Sequence, residues 1–164
     1  VAERSLASLV PGTDAIVVVA RSTASPLARF AASRSYVVVC PAVSDANHGG
    51  MGLSLAYGAS CVIERFPAAT TVVIALADMP WVSPATVVML VARSQTLDAI
   101  VQPAYNGDKG HPVVFPARYL SELAACNADV GAKKILRAHA SNVHTVDVDD
   151  AGVIRDVDVP QDIS

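Results

Sequence analysis

The chain has little charge. Only 16% of its 164 residues are Asp, Glu, Lys or Arg, and the net charge is −3 at pH 7. A nucleic-acid partner would call for a basic face, which this balance does not supply. Aromatic residues are also few, one Trp, three Phe and four Tyr, and they are scattered, so no ladder for stacking bases exists. Cysteine is limited to Cys40, Cys61 and Cys126, unevenly spaced and without a C-x-x-C pair. That pattern argues against a disulfide framework and against a zinc site of this spacing; the three read as buried, reduced thiols of a cytoplasmic protein. No apolar run approaches the roughly 20 residues of a membrane span, and no charged-then-apolar leader opens the sequence as given. The expectation is a cytoplasmic protein with no nucleic-acid or membrane partner.

What is present is apolar. Hydrophobic residues make up 52% of the chain, enough for a real core in one domain of this length. The most telling segment is Thr71 to Ala77 (TVVIALA), which stops at Asp78-Met79-Pro80. Such a run without polar alternation reads as a strand covered on both faces, as in a parallel sheet. A carboxylate directly after it lies at the carboxyl edge, where open α/β sheets bind ligands, and Pro80 bars the strand from continuing. Two readings of Asp78 stand: a metal or phosphate-site aspartate, or a turn residue capping the strand.

Further strands are expected at Ala15–Ala20, Tyr36–Cys40, Ala99–Gln102, Val143–Val148 and Val153–Val157, with a hairpin arm at Pro112–Phe115. Helices are expected at Glu3–Leu9, Leu27–Ser33, Leu53–Arg65, from Pro84 to Arg93, Arg118–Cys126 and Val130–His139. The alternation predicts a three-layer α/β/α Rossmann-like sandwich, mostly parallel, with a small antiparallel part near Ala104 to Phe115.

Four other segments have chemical potential. Gly49-Gly50-Met51-Gly52-Leu53-Ser54 combines glycines that let amides approach a ligand with a helix amino end that favours anions; it is otherwise a glycine loop capping a helix. His111, between Gly110 and Pro112, is held extended and is either a donor to a substrate or a loop histidine without a task. Asp129 opens D-V-G-A-K-K, a phosphate-sized helix start or plain capping with solvated lysines. Asp156 and Asp158 alternate with Val157 and Val159, so an extended segment would set both carboxylates on one side. With Asp78 they would suit Mg²⁺, which takes a few carboxylates with phosphate oxygens and water; otherwise they mark an acidic edge strand.

Taken in order, GMGLSLAYG, LADMP, PAYNGDKGHPVVF, DVGAKKILR and VIRDVDVPQD resemble the molybdenum cofactor nucleotidyltransferases, most closely the cytidylyltransferase branch, within the wider NTP transferases of nucleotide-diphospho-sugar transferase-like fold. The resemblance runs from about Val10 to Asp162, and GHPVVF with DVGAKKIL separates this branch from guanylyltransferase and sugar-nucleotide relatives. It implies one NTP-transferase-like domain over residues 1–164, moving CMP from CTP to molybdopterin with release of pyrophosphate. It implies Mg²⁺ on Asp78 and Asp158, nucleotide contacts from Gly50, Gly52 and Ser54 as well as Asp78, and cofactor-side contacts from His111 and Asp129. A molybdoenzyme or its accessory proteins would be the further partners.

Three departures from the family pattern stand out. Ala77 replaces a usual Gly and Val159 a usual Thr. The family also opens with a strand and a glycine-rich loop, L-A-A-G-x-G-x-R-M-G and then Lys, that cradles the triphosphate; Val1 falls in the helix after it, so the chain reads as truncated there, with the sheet's first strand missing too. That gap keeps two alternatives open: a non-catalytic protein that binds a cofactor or partner, or guanylyl or other nucleotidyl transfer, from GTP for example, to a different phosphate acceptor.

Overall fold

The computed structural model describes residues 1–42, 50–127 and 131–157. They form two compact units, each assembled from separated stretches of chain.

One unit holds Ala15–Thr70 and Ala117–Ser141. Strands β1 (Val17–Val19) and β2 (Val37–Val39) pair in parallel, Val18 opposite Val38. Helix α2 (Pro26–Ser33) is the crossover between them. It starts where the sequence says it should: Ser25 accepts a hydrogen bond from the Ala28 amide at 3.2 Å, and Pro26 occupies the first turn, where its missing N–H costs nothing. Helix α3 (Met51–Arg65) packs on β1 and on the short α5 (Leu120–Ala124). Gly58 admits this closeness, since a Cβ there would meet Val19 Cγ2 at 3.2 Å. Helix α6 (Lys133–Ala138) ends at His139, whose Nε2 lies 2.9 Å from a Glu122 carboxylate oxygen.

The other unit holds Val1–Asp14, Thr71–Pro116 and the described residues from Asn142 on. Helix α1 (Ala2–Leu9) runs into a 3₁₀ turn at Val10–Gly12. Strands β3 (Thr71–Ile74), β4 (Ile100–Tyr105), β5 (Asp108–Lys109), β6 (Val113–Pro116) and β7 (Val143–Asp147) form one sheet in the order β3-β6-β4-β5, with β7 beside β4. Helix α4 (Pro84–Leu97) covers it: Leu90 of α4, Val101 of β4 and Val114 of β6, all fully buried, form a core cluster with Val73, Val91 and Val146 around them.

Three expectations are corrected. The sheet of this unit is mixed rather than mostly parallel. Pairs β3–β6, β6–β4 and β4–β5 are antiparallel, and only β4–β7 is parallel. The cause is local. Asn106 and Gly107 take positive φ (51° and 90°) between the paired residues Tyr105 and Asp108. This two-residue hairpin loop suits the twist of the strands it joins and reverses the chain. The strand before Asp78 is also shorter than its apolar run. It ends at Ile74, its residues are half-buried, and Ala77-Asp78 form a turn.

The expected strand at Val153–Val157 is instead a 3₁₀ turn over Ala151–Ile154, followed by an extended Arg155 and by Asp156 and Val157 in no strand. Asp150 directs this: its Oδ1 accepts the Gly152 amide at 3.0 Å, the Asx turn that competes with strand formation. No helix among the described residues is long and apolar enough to cross a membrane.

Candidate functional site

Asp78 is exposed on the turn after β3, directly before the buried Met79 and Pro80. Strand polarity brings His111 to the same end of the sheet. Ile74 pairs with Val113, so the chain leaving β3 towards Asp78 and the chain entering β6 from His111 meet at one edge. His111 is half-buried, its amide donates to the Val153 carbonyl at 2.8 Å, and its peptide bond to Pro112 is cis.

A third segment, Asp150–Val157, joins them. The Val157 amide donates to the Asp78 carbonyl at 2.9 Å. The Arg155 guanidinium lies 4.4 Å from the centroid of the Trp81 ring, a cation–π distance. Asp150 Oδ2 accepts from the Ser83 amide at 2.9 Å and from Thr86 Oγ1 at 2.6 Å. Two glycines allow the approach: a Cβ at Gly152 would run into the Trp81 carbonyl, and one at Gly110 into the Val153 carbonyl. The residues around Asp78 are thus bound at several points to the stretch that leads into the second acidic motif.

The turn is also held by a residue that the sequence reading passed over. Ser5 of α1, only 5% exposed, donates its hydroxyl to the Ala77 carbonyl at 2.9 Å. The signal was available: Ser5 and Ser8 share the buried stripe of α1 with Leu6, and serine on such a stripe needs a polar partner. A cavity of about 10 Å³ behind the turn, lined by Ser5, Leu76, Met79 and His111 among others, has room for one water and no larger ligand. A cavity of about 270 Å³ lies between Pro11–Asp14 and α4, and none of the residues singled out in the sequence lines it.

In the other unit, Gly50 is the amino cap of α3, extended at φ −85° and ψ −177°, with no side chain capping it. Gly52 is buried and Ser54 exposed on the first turns of the helix. Small residues and the amide end of a helix coincide there, the helix beginning at Met51 rather than at the expected Leu53. Gly49, Asp129 and Asp158 lie outside the described residues.

The donor set suits a hard cation sparingly. Asp78 offers an exposed carboxylate, and among the described residues no group of three or more His, Cys, Asp or Glu could hold a metal. Mg²⁺ does not demand such a cage, because it is commonly held by one or two carboxylates while water and substrate phosphates complete its shell.

No curated protein matches the sequence. Among solved structures, Rv0371c from Mycobacterium tuberculosis is similar over 99% of this chain and 80% of its own, at 25% identity and a TM-score of 0.76. A structure of Rv0371c in complex with manganese has a TM-score of 0.75 at 24% identity, covering 99% and 83%. A nucleotidyl transferase from Methanothermobacter thermautotroptrophicus shares the fold at 17% identity, with a TM-score of 0.72 over 99% of this chain and 76% of that one. The sequence profile described as the MobA-like NTP transferase domain matches residues 1–143. Most of the chain, including both the Gly50 helix start and the Asp78 turn, falls inside that match, and the protein belongs to the MobA-like NTP transferase domain family of nucleotidyltransferases.

Proposed function

We propose that the protein transfers CMP from CTP to the terminal phosphate of molybdopterin and releases pyrophosphate, with a divalent cation, Mg²⁺, held by Asp78 and Asp158. The observation that carries this reading is the hydrogen bond from the Val157 amide to the Asp78 carbonyl, 2.9 Å long. It ties the turn of one acidic motif to the residue that immediately precedes Asp158. Motifs 80 positions apart in the sequence could otherwise belong to unrelated surfaces. The manganese complex of the mycobacterial neighbour supports a divalent cation in this fold.

The reaction is a substitution at phosphorus. An oxygen of the acceptor phosphate forms a bond to the α-phosphorus of CTP. The bond from that phosphorus to the bridging oxygen breaks, and the electron pair leaves with pyrophosphate. Both reactants are anionic, so the protein's task is to align them and offset their charge rather than to supply a covalent nucleophile. A cation bound at the two aspartates would neutralise charge building on the α-phosphate. The amides at the start of α3, with Gly50, Gly52 and Ser54, are assigned to the nucleotide. His111, beside the Asp78 turn, and Asp129 are assigned to the acceptor.

Asp78→Asn keeps the size of the side chain and removes its charge. With CTP, molybdopterin and Mg²⁺ supplied, the variant is expected to lose about 10²-fold or more in turnover, the scale of losing one charge-stabilising group. Wild-type rates of pyrophosphate release from the Asn variant would remove the metal assignment.

A further inference from the structure

Helix α1 contains a serine that ordinary helix design would avoid. Ser5 is 5% exposed. Serine is a poorer helix former than alanine, and a buried hydroxyl is costly unless it is bonded. Its Oγ lies 3.4 Å from the Val1 carbonyl four residues back and 2.9 Å from the Ala77 carbonyl, 72 residues away. The second contact is the shorter one, and it reaches the peptide that enters Asp78.

That peptide needs the help. Strand β3 ends at Ile74, so the Ala77 carbonyl is beyond the ladder. The Asp78 carbonyl, one peptide further on, is engaged by the Val157 amide at 2.9 Å. Met79, immediately following, is buried at 5% exposure. The two peptide planes flanking the Asp78 Cα are thus held by two different segments, α1 on one side and the Arg155–Val157 stretch on the other. Asp78 itself stays exposed.

We propose that Ser5 is a positioning residue. Its hydroxyl fixes the 77–78 peptide and so aims the Asp78 carboxylate, which lets α1 influence the site without touching a ligand. The inference rests on the reading of Asp78 as a metal ligand, and its test separates the two.

Mn²⁺ affinity of the full protein, without nucleotide, is measured by the loss of the free-ion EPR signal, with urea denaturation in parallel. Ser5→Ala removes the hydroxyl. Ser5→Cys keeps nearly the same volume with only a weak donor, and stands in should the Ala variant not fold. The control is Ser94→Ala: Ser94, 1% exposed, donates to the Ala99 carbonyl at 2.7 Å in the same unit, at the far end of α4. It loses the same kind of bond away from Asp78. Ser5→Ala or Ser5→Cys is expected to weaken Mn²⁺ binding about five-fold, the equilibrium equivalent of one ordinary hydrogen bond. Ser94→Ala is expected to lower stability and leave Mn²⁺ affinity unchanged. Wild-type affinity in a folded Ser5 variant overturns the proposal, as does an equal loss in the Ser94 variant. Asp78→Asn tells the two failures apart. If it binds Mn²⁺ as the wild type does, the metal reading itself fails and the role of Ser5 fails with it.

Discussion

At Gly110 the backbone runs so close to the Val153 carbonyl that any Cβ would collide with it. Neither partner can yield cheaply, because Val153 is fully buried and the next residue, His111, donates its amide to that same carbonyl. Gly110→Ala is expected to destabilise the protein by about 3 kcal/mol, the upper range for overpacking, read as a lower urea midpoint. Cys61 makes a second prediction. Burial pushes its thiol up, with Arg65 pulling the other way and Glu64 adding a smaller upward push. A raised value means that the folded chain keeps this proton longer than the unfolded one. The associated stability is complete below the ordinary thiol range, about 8.5, and is lost as pH rises beyond it. Cys61→Ala is therefore expected to lose less stability than the wild type between pH 7 and pH 10 in paired urea titrations. Native Cys61 is also expected to react more slowly with iodoacetamide at pH 8 than in urea.

At the scale of elements, the Asp78 turn is a product of α1, the start of α4 and the segment after β7. The start of α4 shows how they are joined. Its cap, Ser83, makes no side-chain capping bond. Instead the Asp150 carboxylate takes the Ser83 amide and the Thr86 hydroxyl, placing a negative charge at a helix amino end, where it is favourable. Asp150→Ala is expected to cost about 2 kcal/mol, since hydrogen bonds to a charged acceptor are the stronger kind, and chemical denaturation would read it. If the same carboxylate also keeps the 155–157 stretch on the Asp78 turn, the variant loses Mn²⁺ affinity as well, and a stabilised background would not restore it.

At the scale of the whole molecule, base preference has a direct test. A nucleotide that binds only the folded state adds about 2.7 kcal/mol at a hundred times its dissociation constant. For a protein of this size that is a rise of roughly 5–10 °C in Tm. CTP with Mg²⁺ is expected to produce that rise, and GTP or UTP a smaller one; the reverse order would reassign the nucleotide. The two compact units bear on legibility at this scale. Each is made of stretches far apart in the chain, so reading the sequence from end to end finds the pieces but not their grouping.

What the amino-acid sequence determined by itself was local. Ser25-Pro26 began a helix, Asn106-Gly107 made a reversal, and Val-rich runs made strands, because capping, positive φ and side-chain periodicity are settled within a few residues. The aspartate after the third apolar run stood out for the same reason. Tertiary structure alone decided that β6 would lie between β3 and β4 and make the sheet mixed. It alone decided that the Val153 carbonyl would receive the His111 amide, and that Ser5 would reach Ala77. Each of these depends on a partner tens of residues away. Such a pairing is chosen by the free energy of the assembled core, which no short window of sequence contains.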